Sequence, residues 1–184
     1  MVPHYFIAIT LPHDIKERLA NYKEEMNDTL PFRSWVHKED YHITLAFLGS
    51  ATQEQLQEIK EGLHLLKNEQ EFSLLLQGFS TFGPPERPRI FWAGLEESKA
   101  LLHLQKKVHS ICERSGFSLE TRPFHPHITI ARKWIGEAMF HIEDIKELKP
   151  VSFPVDTVTL YRSNMKDTPK YHPVTEIKLQ KCNA

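Results

Sequence analysis

The first third of the chain alternates between continuous apolar runs and helical spacing. Tyr5–Leu11 is an apolar run of strand length, and Pro12 then suits the first turn of a helix. An extended piece follows at Phe32–Val36, and Tyr41–Leu48 is rich in β-branched and aromatic residues and closes at Gly49. The helix after Pro12 has one apolar face, made of Ile15, Leu19, Tyr22 and Met26. The pattern predicts strand, helix and strand in order.

The middle of the chain predicts a helix and two strands around a proline-rich break. Thr52, with Gln55 three residues later, forms a capping-box pattern that begins a helix. A strand is predicted at Phe72–Phe79, Gly83–Pro88 breaks regular structure, and Arg89–Gly94 restarts it. The inward face of the helix comprises Leu56, Ile59, Leu63 and Leu66. We interpret the break as the junction between two halves of the chain.

The last third begins with another amphipathic helix, which Ser98 caps and Gly116 ends. The run Phe124–Arg132 has an apolar, β-branched centre and predicts a strand. The inward face of the helix consists of Leu101, Leu104, Val108 and Ile111. The tail adds a stretch predicted to be helical near Glu143–Leu148 and two strands, near Phe153–Arg162 and Val174–Leu179.

An internal repeat relates the two halves. His42–Ala46 (HITLA) returns as His127–Ala131 (HITIA) at an offset of 85 residues. The same offset relates three further pairs: Phe6 and Phe91, Ala8 and Ala93, and Leu19 and Leu104. Strand, helix and His-containing strand therefore recur in order. The sequence predicts an α+β protein, a single domain over 1–184 with pseudo-symmetric β-α-β lobes built around 1–80 and 88–184.

Composition narrows the class of protein. A chain of 184 residues with 40% hydrophobic residues has the size and core of one compact domain. No apolar run approaches the roughly 20 residues that cross a bilayer, and Met1–Leu11 is too short and mixed for a secretory signal. Cys112 and Cys182 lack CxxC spacing, which argues against a disulfide framework or a thiolate metal site. We expect a cytoplasmic protein without membrane contact.

The net charge of the chain and its internal repeat together limit the binding partners that we expect. A net charge of -1 argues against the broad basic surface that holds long nucleic acid. Any nucleic-acid contact should be local, at an RNA end or on a short oligonucleotide. We expect a monomer, because a cleft between two halves of one chain needs no second copy.

The repeat singles out two of the 11 histidines, His42 and His127. Side chains alternate along a strand, so His42 and Thr44 share one face, as do His127 and Thr129. If a pseudo-twofold axis relates the halves, two imidazoles and two hydroxyls meet across a cleft. The alternative is two structural histidines with backbone partners, beside threonines that strands favour for their branching alone.

A pair of imidazoles suits phosphodiester hydrolysis. The reaction needs a base to deprotonate the attacking water and an acid to protonate the leaving oxygen. An imidazole pKa of about 6.5 allows one ring to be neutral and the other cationic near neutral pH. Threonine hydroxyls beside the rings can donate hydrogen bonds to phosphate oxygens. This chemistry requires no metal.

These motifs resemble the 2H phosphoesterase superfamily, and within it the RNA 2',3'-cyclic phosphodiesterase (2'-5' RNA ligase-like) family. Two His-x-Thr-aliphatic motifs in this context are specific, whereas either alone would be weak. The residues that carry the resemblance anchor nearly the whole chain: Tyr5–Pro12, His42–Gly49, Pro88–Gly94 and Pro126–Arg132.

The resemblance implies a bilobal fold in which two antiparallel sheets flank a central active-site cleft, with helices outside. It implies hydrolysis of RNA 2',3'-cyclic phosphate ends to 2'-phosphomonoesters without a cofactor or metal. It further implies that His42 is the proton donor and His127 the proton acceptor, a distinction that the nearly symmetric sequence does not itself make. Thr44, Thr129 and Arg132 would bind phosphate, Arg132 with a bidentate grip.

The alternation of side chains along a regular strand argues against a place in the cleft for two residues of these motifs. Counting from His127, Arg132 falls on the opposite face of a regular strand, and it reaches the cleft only if the strand ends or twists first. A structural ion pair at a strand end is the alternative for Arg132. Phe47 has the same parity, which predicts a core residue rather than a base-stacking platform.

Three other interpretations remain open from the sequence. The same chemistry could act on a small cyclic nucleotide or on 2'-5' linkages in RNA. A metalloprotein would use His125 and His127 with His42 around zinc or iron, although Pro126 constrains His125 and carboxylates are sparse nearby. A non-catalytic module would bind RNA ends without turnover, although both His-x-Thr motifs are complete.

Overall fold

The structure is a computed structural model that describes residues 3–181, so Cys182 lies outside the described part. The strands in this range are β1 His4–Thr10, β2 Phe32–Trp35, β3 His42–Gly49, β4 Phe72–Phe82, β5 Ile90–Leu95, β6 His127–Trp134, β7 Val151–Val155, β8 Thr157–Ser163 and β9 Tyr171–Lys178. The α-helices are α1 His13–Met26, α2 Gln53–Leu63 and α3 Lys99–Arg114. None of the helices in 3–181 is long and apolar enough to cross a membrane.

The strands form two antiparallel sheets. The first sheet has the order β3-β1-β8-β9, and the second has the order β2-β6-β5-β4-β7. Each sheet is built around one copy of the repeat, β1 with β3 and β5 with β6. The predicted α+β class with antiparallel sheets is therefore confirmed.

Each sheet contains strands from both halves of the chain. The first sheet adds β8 and β9 to β1 and β3, and the second adds β2 and β4 to β5, β6 and β7, whereas the sequence predicted lobes built around 1–80 and 88–184. The segment Gly83–Pro88 connects β4 to β5, which pair antiparallel as neighbours in one sheet, so it does not join two lobes. The predicted strand Phe153–Arg162 is two strands. The chain crosses from the second sheet to the first at Asp156, between β7 and β8.

The helices begin and pack as their sequences predict. Thr52 and Gln55 form the reciprocal capping box of α2, and the Ser98 hydroxyl accepts a hydrogen bond from Leu101 N at the start of α3. All the predicted inward-facing residues of the three helices are buried in one hydrophobic cluster shared with both sheets. The predicted helix near Glu143–Leu148 is only a 3-10 turn at Ile142–Asp144.

Each His-containing strand carries a β-bulge at the same point of the repeat. The pairing of β1 with β3 skips Leu45, and the pairing of β5 with β6 skips Ile130. A bulge inserts one extra residue, so the residues after it change face. In agreement, two consecutive side chains are buried at each bulge, Leu45 with Ala46 and Ile130 with Ala131.

The carbonyl groups of the bulge residues receive hydrogen bonds from outside the paired strands. His109 of α3 lies 3.2 Å, through Nε2, from the Leu45 carbonyl oxygen. Val36 N, just beyond β2, donates to the Ile130 carbonyl oxygen at 2.9 Å. Because a buried carbonyl without a partner is costly, these two bonds stabilise the bulges.

Replacing His109 tests this role. His109→Leu removes the donor to Leu45 and should lower the free energy of unfolding by about 1 kcal/mol, because the carbonyl loses its partner. His109→Gln keeps an N–H donor and should lose less. Urea unfolding of both variants measures the difference. Equal stability of His109→Leu and the unmodified protein would contradict the assignment.

Candidate active site

A cleft of about 270 Å³ lies between the two sheets and contains every residue that the sequence analysis placed in the site. The first sheet supplies His42 and Thr44, and the second supplies His127, Thr129 and Arg132. The expected meeting of the two His-x-Thr faces is what the structure shows. The other lining residues are His4, Phe6, Phe47, Ile90, Ser163, Met165 and Tyr171.

The bulges bring Arg132 and Phe47 into the cleft, so the parity argument was wrong for both. With one extra residue at Ile130, Arg132 follows Thr129 on the cleft face. With one extra residue at Leu45, Phe47 does the same on β3. Phe47 is 59% exposed and is therefore not the core residue that parity predicted.

His42 is held by hydrogen bonds at both ring nitrogens. Its Nδ1 lies 2.7 Å from the Asp40 carbonyl oxygen, and its Nε2 lies 3.0 Å from the Thr44 hydroxyl. Because a carbonyl can only accept, Nδ1 carries the proton of the neutral ring, and Nε2 accepts from Thr44. The ring packs against Phe6 at 4.8 Å and against the edge of Tyr171 at 5.2 Å between centroids.

His127 repeats this arrangement on the opposite sheet. Its Nδ1 lies 2.8 Å from the His125 carbonyl oxygen, again two residues before it in the chain. The ring packs against Phe82 at 4.9 Å and Trp92 at 5.9 Å between centroids. Both imidazoles are thus oriented through Nδ1, and both keep Nε2 as the nitrogen that can accept a proton.

The surroundings favour neutral imidazoles. Burial lowers the pKa of His42 from 6.5 to about 4, against the hydrogen bond to Asp40, and the nearby Arg132 charge adds to the lowering. Burial also lowers the pKa of His127, against its hydrogen bond to His125, and the charges of His125 and Arg132 add to that lowering. Both rings are neutral near neutral pH in the unliganded protein.

Asp40 connects His42 to the start of β9. The residue is 4% exposed, and its carboxylate accepts hydrogen bonds from Lys170 N at 3.0 Å and Tyr171 N at 3.1 Å. Its main-chain oxygen orients the His42 ring. Burial raises the pKa of Tyr171, whereas the nearby charge of Arg132 lowers it, and both side chains line the cleft.

His125 does not join the histidine pair in the cleft. Its side chain is exposed and contacts Phe82 and Trp92, at 5.3 and 5.1 Å between centroids. It lines a separate cavity of about 600 Å³ between β4, β5 and the start of α3. Within 3–181, no three His, Cys, Asp or Glu side chains are grouped so that they could hold a metal ion.

Sequence reasoning missed Phe6, Asp40 and Tyr171, which contact or position His42. Phe6 was assigned to a buried strand, and its contact with His42 depends on how β1 pairs with β3. Asp40 and Tyr171 are 131 residues apart and meet only because β9 joins the first sheet. No local pattern in the sequence signals that contact.

Sequence comparison finds relatives over nearly the whole chain. The sequence model of the family described as the 2'-5' RNA ligase superfamily matches residues 11–167. The chain is 45% identical over 179 residues to an RNA 2',3'-cyclic phosphodiesterase of Geobacillus stearothermophilus, covering 96% of this chain but 57% of that protein's length. It is 34% identical to an RNA 2',3'-cyclic phosphodiesterase of Bacillus subtilis, covering 96% of this chain and 97% of that protein.

Solved structures share the fold. The crystal structure of Escherichia coli LigT complexed with 3'-AMP has a TM-score of 0.79 and 26% identity, and covers 97% of this chain and 99% of that one. A crystal structure described as a phosphoesterase has a TM-score of 0.78 and 26% identity, and covers 98% and 99%. Both solved structures therefore share the fold of this chain over nearly its whole length.

Asp40→Asn tests the link between β9 and His42. The amide places an NH2 donor where Oδ2 accepts from Lys170 N and removes the charge that both backbone N–H groups face, so the variant should lose about 1 to 3 kcal/mol of unfolding free energy. The pKa of His42 should fall further, because the Asp40 charge raises it. Thermal unfolding and NMR titration measure both effects, with the exposed Asp28→Asn as control. An unchanged His42 pKa in Asp40→Asn would contradict the link.

Proposed function

Because this chain belongs to the 2'-5' RNA ligase superfamily, we propose that it hydrolyses RNA 2',3'-cyclic phosphate ends to 2'-phosphomonoesters by metal-independent acid–base catalysis. The observation that carries the proposal is the pair of imidazoles in one cleft, each held through Nδ1 by the carbonyl two residues before it. This leaves two Nε2 atoms for proton transfer.

The reaction needs both rings. His127 Nε2 accepts a proton from water as the water oxygen bonds to phosphorus. The bond from phosphorus to the 3' oxygen breaks, and that oxygen takes a proton from His42 Nε2. The product is a 2'-phosphomonoester with a free 3' hydroxyl. The donor role of His42 and the acceptor role of His127 rest on the family resemblance, since the nearly symmetric sequence motifs do not make this distinction.

The negative charge of the bound substrate raises the pKa of His42 and so favours its protonated form. In the unliganded cleft its pKa is about 4, so the ring is neutral and Thr44 donates to Nε2. A phosphate anion beside the ring raises the pKa, because an opposite charge favours the imidazolium. Once Nε2 is protonated it no longer accepts, and the Thr44 hydroxyl is free to donate to a phosphate oxygen.

Arg132 and Thr129 hold the phosphate from the second sheet. The Arg132 side chain is exposed in the cleft, and its guanidinium charge reaches both histidines, since it lowers the pKa of each. A bound phosphate pairs with this charge, and two parallel N–H donors fit two phosphate oxygens. Phosphate binding thereby offsets the Arg132 charge, which lowers the pKa of His42 in the unliganded cleft.

RNA ends fit the charge of the protein. The net charge is -1, and among residues 3–181 Arg132 is the Lys or Arg side chain that lines the cleft, so we expect contacts with one phosphate rather than with a long backbone. The relatives named RNA 2',3'-cyclic phosphodiesterase support an RNA substrate over a small cyclic nucleotide. We place this activity in a monomer in the cytoplasm.

Substitution of the two histidines tests the mechanism. His42→Ala and His127→Ala should each lower kcat on a short RNA ending in a 2',3'-cyclic phosphate by about 100- to 10,000-fold, because each removes one proton-transfer group. The double variant should lose less than the product of the two effects. Analysis of the 2'-phosphate product, in the presence of excess chelator, measures the loss.

His103→Ala is the matched control, since His103 is an exposed histidine outside the cleft lining. It should retain full activity. Turnover by either His42→Ala or His127→Ala at the unmodified rate, or abolition of turnover by the chelator, would contradict the two-histidine mechanism.

NMR titration tests the protonation argument. The His42 imidazole should titrate near pH 4 in the unliganded protein, because burial lowers its pKa. Saturation with a 2'-phosphorylated nucleotide should raise that pKa, because the anion stabilises the imidazolium. His42→Gln identifies the resonance. A His42 pKa that stays the same or falls on binding would rule out the donor role.

A further inference from the structure

Three exposed cations lie in one row across the second sheet, directly beside Arg132. The register of β2 with β6 places Arg33 opposite Lys133. On the other side of β6, Lys133 N donates to the Arg89 carbonyl oxygen at 2.8 Å. All three residues are exposed, and Arg132 is the residue just before Lys133. Because neighbouring strands lie about 5 Å apart, Arg33, Lys133 and Arg89 form a continuous basic row.

The basic row has no acidic partner. Within residues 3–181, none of its side chains forms an ion pair with an Asp or Glu. Elsewhere exposed cations are paired, such as Lys38 with Glu17 and Lys146 with Glu25. Like charges opposite each other on neighbouring strands are destabilising. An anion bound at the basic row would therefore relieve the repulsion between its members.

The backbone of Lys133 adopts a conformation that favours glycine. Its φ is 61°, and among residues 3–181 it is the one non-glycine residue with a positive φ. A side chain is strained in this region, whereas glycine is not. Strained positions of this kind cluster at functional sites. The conformation of Lys133 therefore points to a role for its side chain rather than for the fold.

We propose that the basic row binds the backbone phosphate immediately 5' to the terminal nucleotide of the RNA. The proposal rests on the proposed function, in which Arg132 holds the terminal phosphate inside the cleft. The next phosphate of the RNA is one nucleotide away, and the basic row begins one residue away from Arg132 on β6. One further phosphate contact makes the site prefer RNA ends over free mononucleotides, without the broad basic surface that a long backbone needs.

The test varies the charge of that one phosphate. The ligands are a 2'-phosphorylated mononucleotide, a dinucleotide that ends in the same 2'-phosphorylated nucleotide, and the same dinucleotide with an uncharged methylphosphonate linkage. Titration calorimetry at several salt concentrations gives the Kd for the unmodified protein, Lys133→Gly and Arg89→Gln. The control is Lys106→Gln, which removes one exposed charge from α3, outside the basic row.

The unmodified protein should bind the charged dinucleotide about 10-fold more tightly than either other ligand, because a charge-assisted contact is added. The slope of log Kd against log salt should be steeper by about 0.7 for that ligand. Lys133→Gly and Arg89→Gln should lose most of this advantage and bind the mononucleotide like the unmodified protein. Lys106→Gln should keep the advantage.

Lys133→Gly also separates binding from folding. Glycine relieves the strained φ, so the variant should unfold at a urea concentration no lower than that of the unmodified protein. Equal binding of the charged and methylphosphonate dinucleotides by the unmodified protein would overturn the proposal, as would equal weakening of all three ligands by Lys133→Gly. Hydrolysis of a dinucleotide with a 2',3'-cyclic phosphate by the unmodified protein separately tests the proposed function.

Discussion

The site depends on one extra residue in each of two strands. The bulges at Leu45 and Ile130 interrupt the regular alternation of β3 and β6, and the third functional side chain of each strand then faces the cleft with the first two. Without them, Phe47 and Arg132 would point into the core or away from the cleft. The cleft would then hold the imidazoles and hydroxyls but neither its cation nor its aromatic ring.

The residues just before β3 and β6 set the tautomer of the histidines. Each imidazole donates through Nδ1 to the carbonyl two residues before it, so the segment that leads into each strand fixes the tautomer of the ring. Burial lowers the pKa of both imidazoles, so both rings are neutral near neutral pH in the unliganded protein. A bound phosphate anion raises the imidazole pKa again, because an opposite charge favours the protonated ring. Substrate binding thereby produces the protonated imidazole that the reaction needs.

Sequence patterns predicted α1, α2, α3, the repeat and the placement of His42 and His127, because apolar periodicity and motif spacing are local properties, but they also predicted a helix near Glu143–Leu148 where only a 3-10 turn forms. They did not predict the bulges, since one skipped residue leaves no signature in a run such as HITLAFLG. They also missed the exchange of strands between halves and the contact of Asp40 with the start of β9. Those features depend on pairing between distant segments, which local pattern does not encode.

A crystal structure of the protein with a bound 2'-phosphorylated nucleotide tests the account most directly. The account predicts the phosphate between Nε2 of His42 and Nε2 of His127, with both Nδ1 atoms still bonded to the carbonyls of Asp40 and His125. A phosphate in the separate cavity beside α3, or a ring turned so that its Nδ1 faces the phosphate, would contradict it.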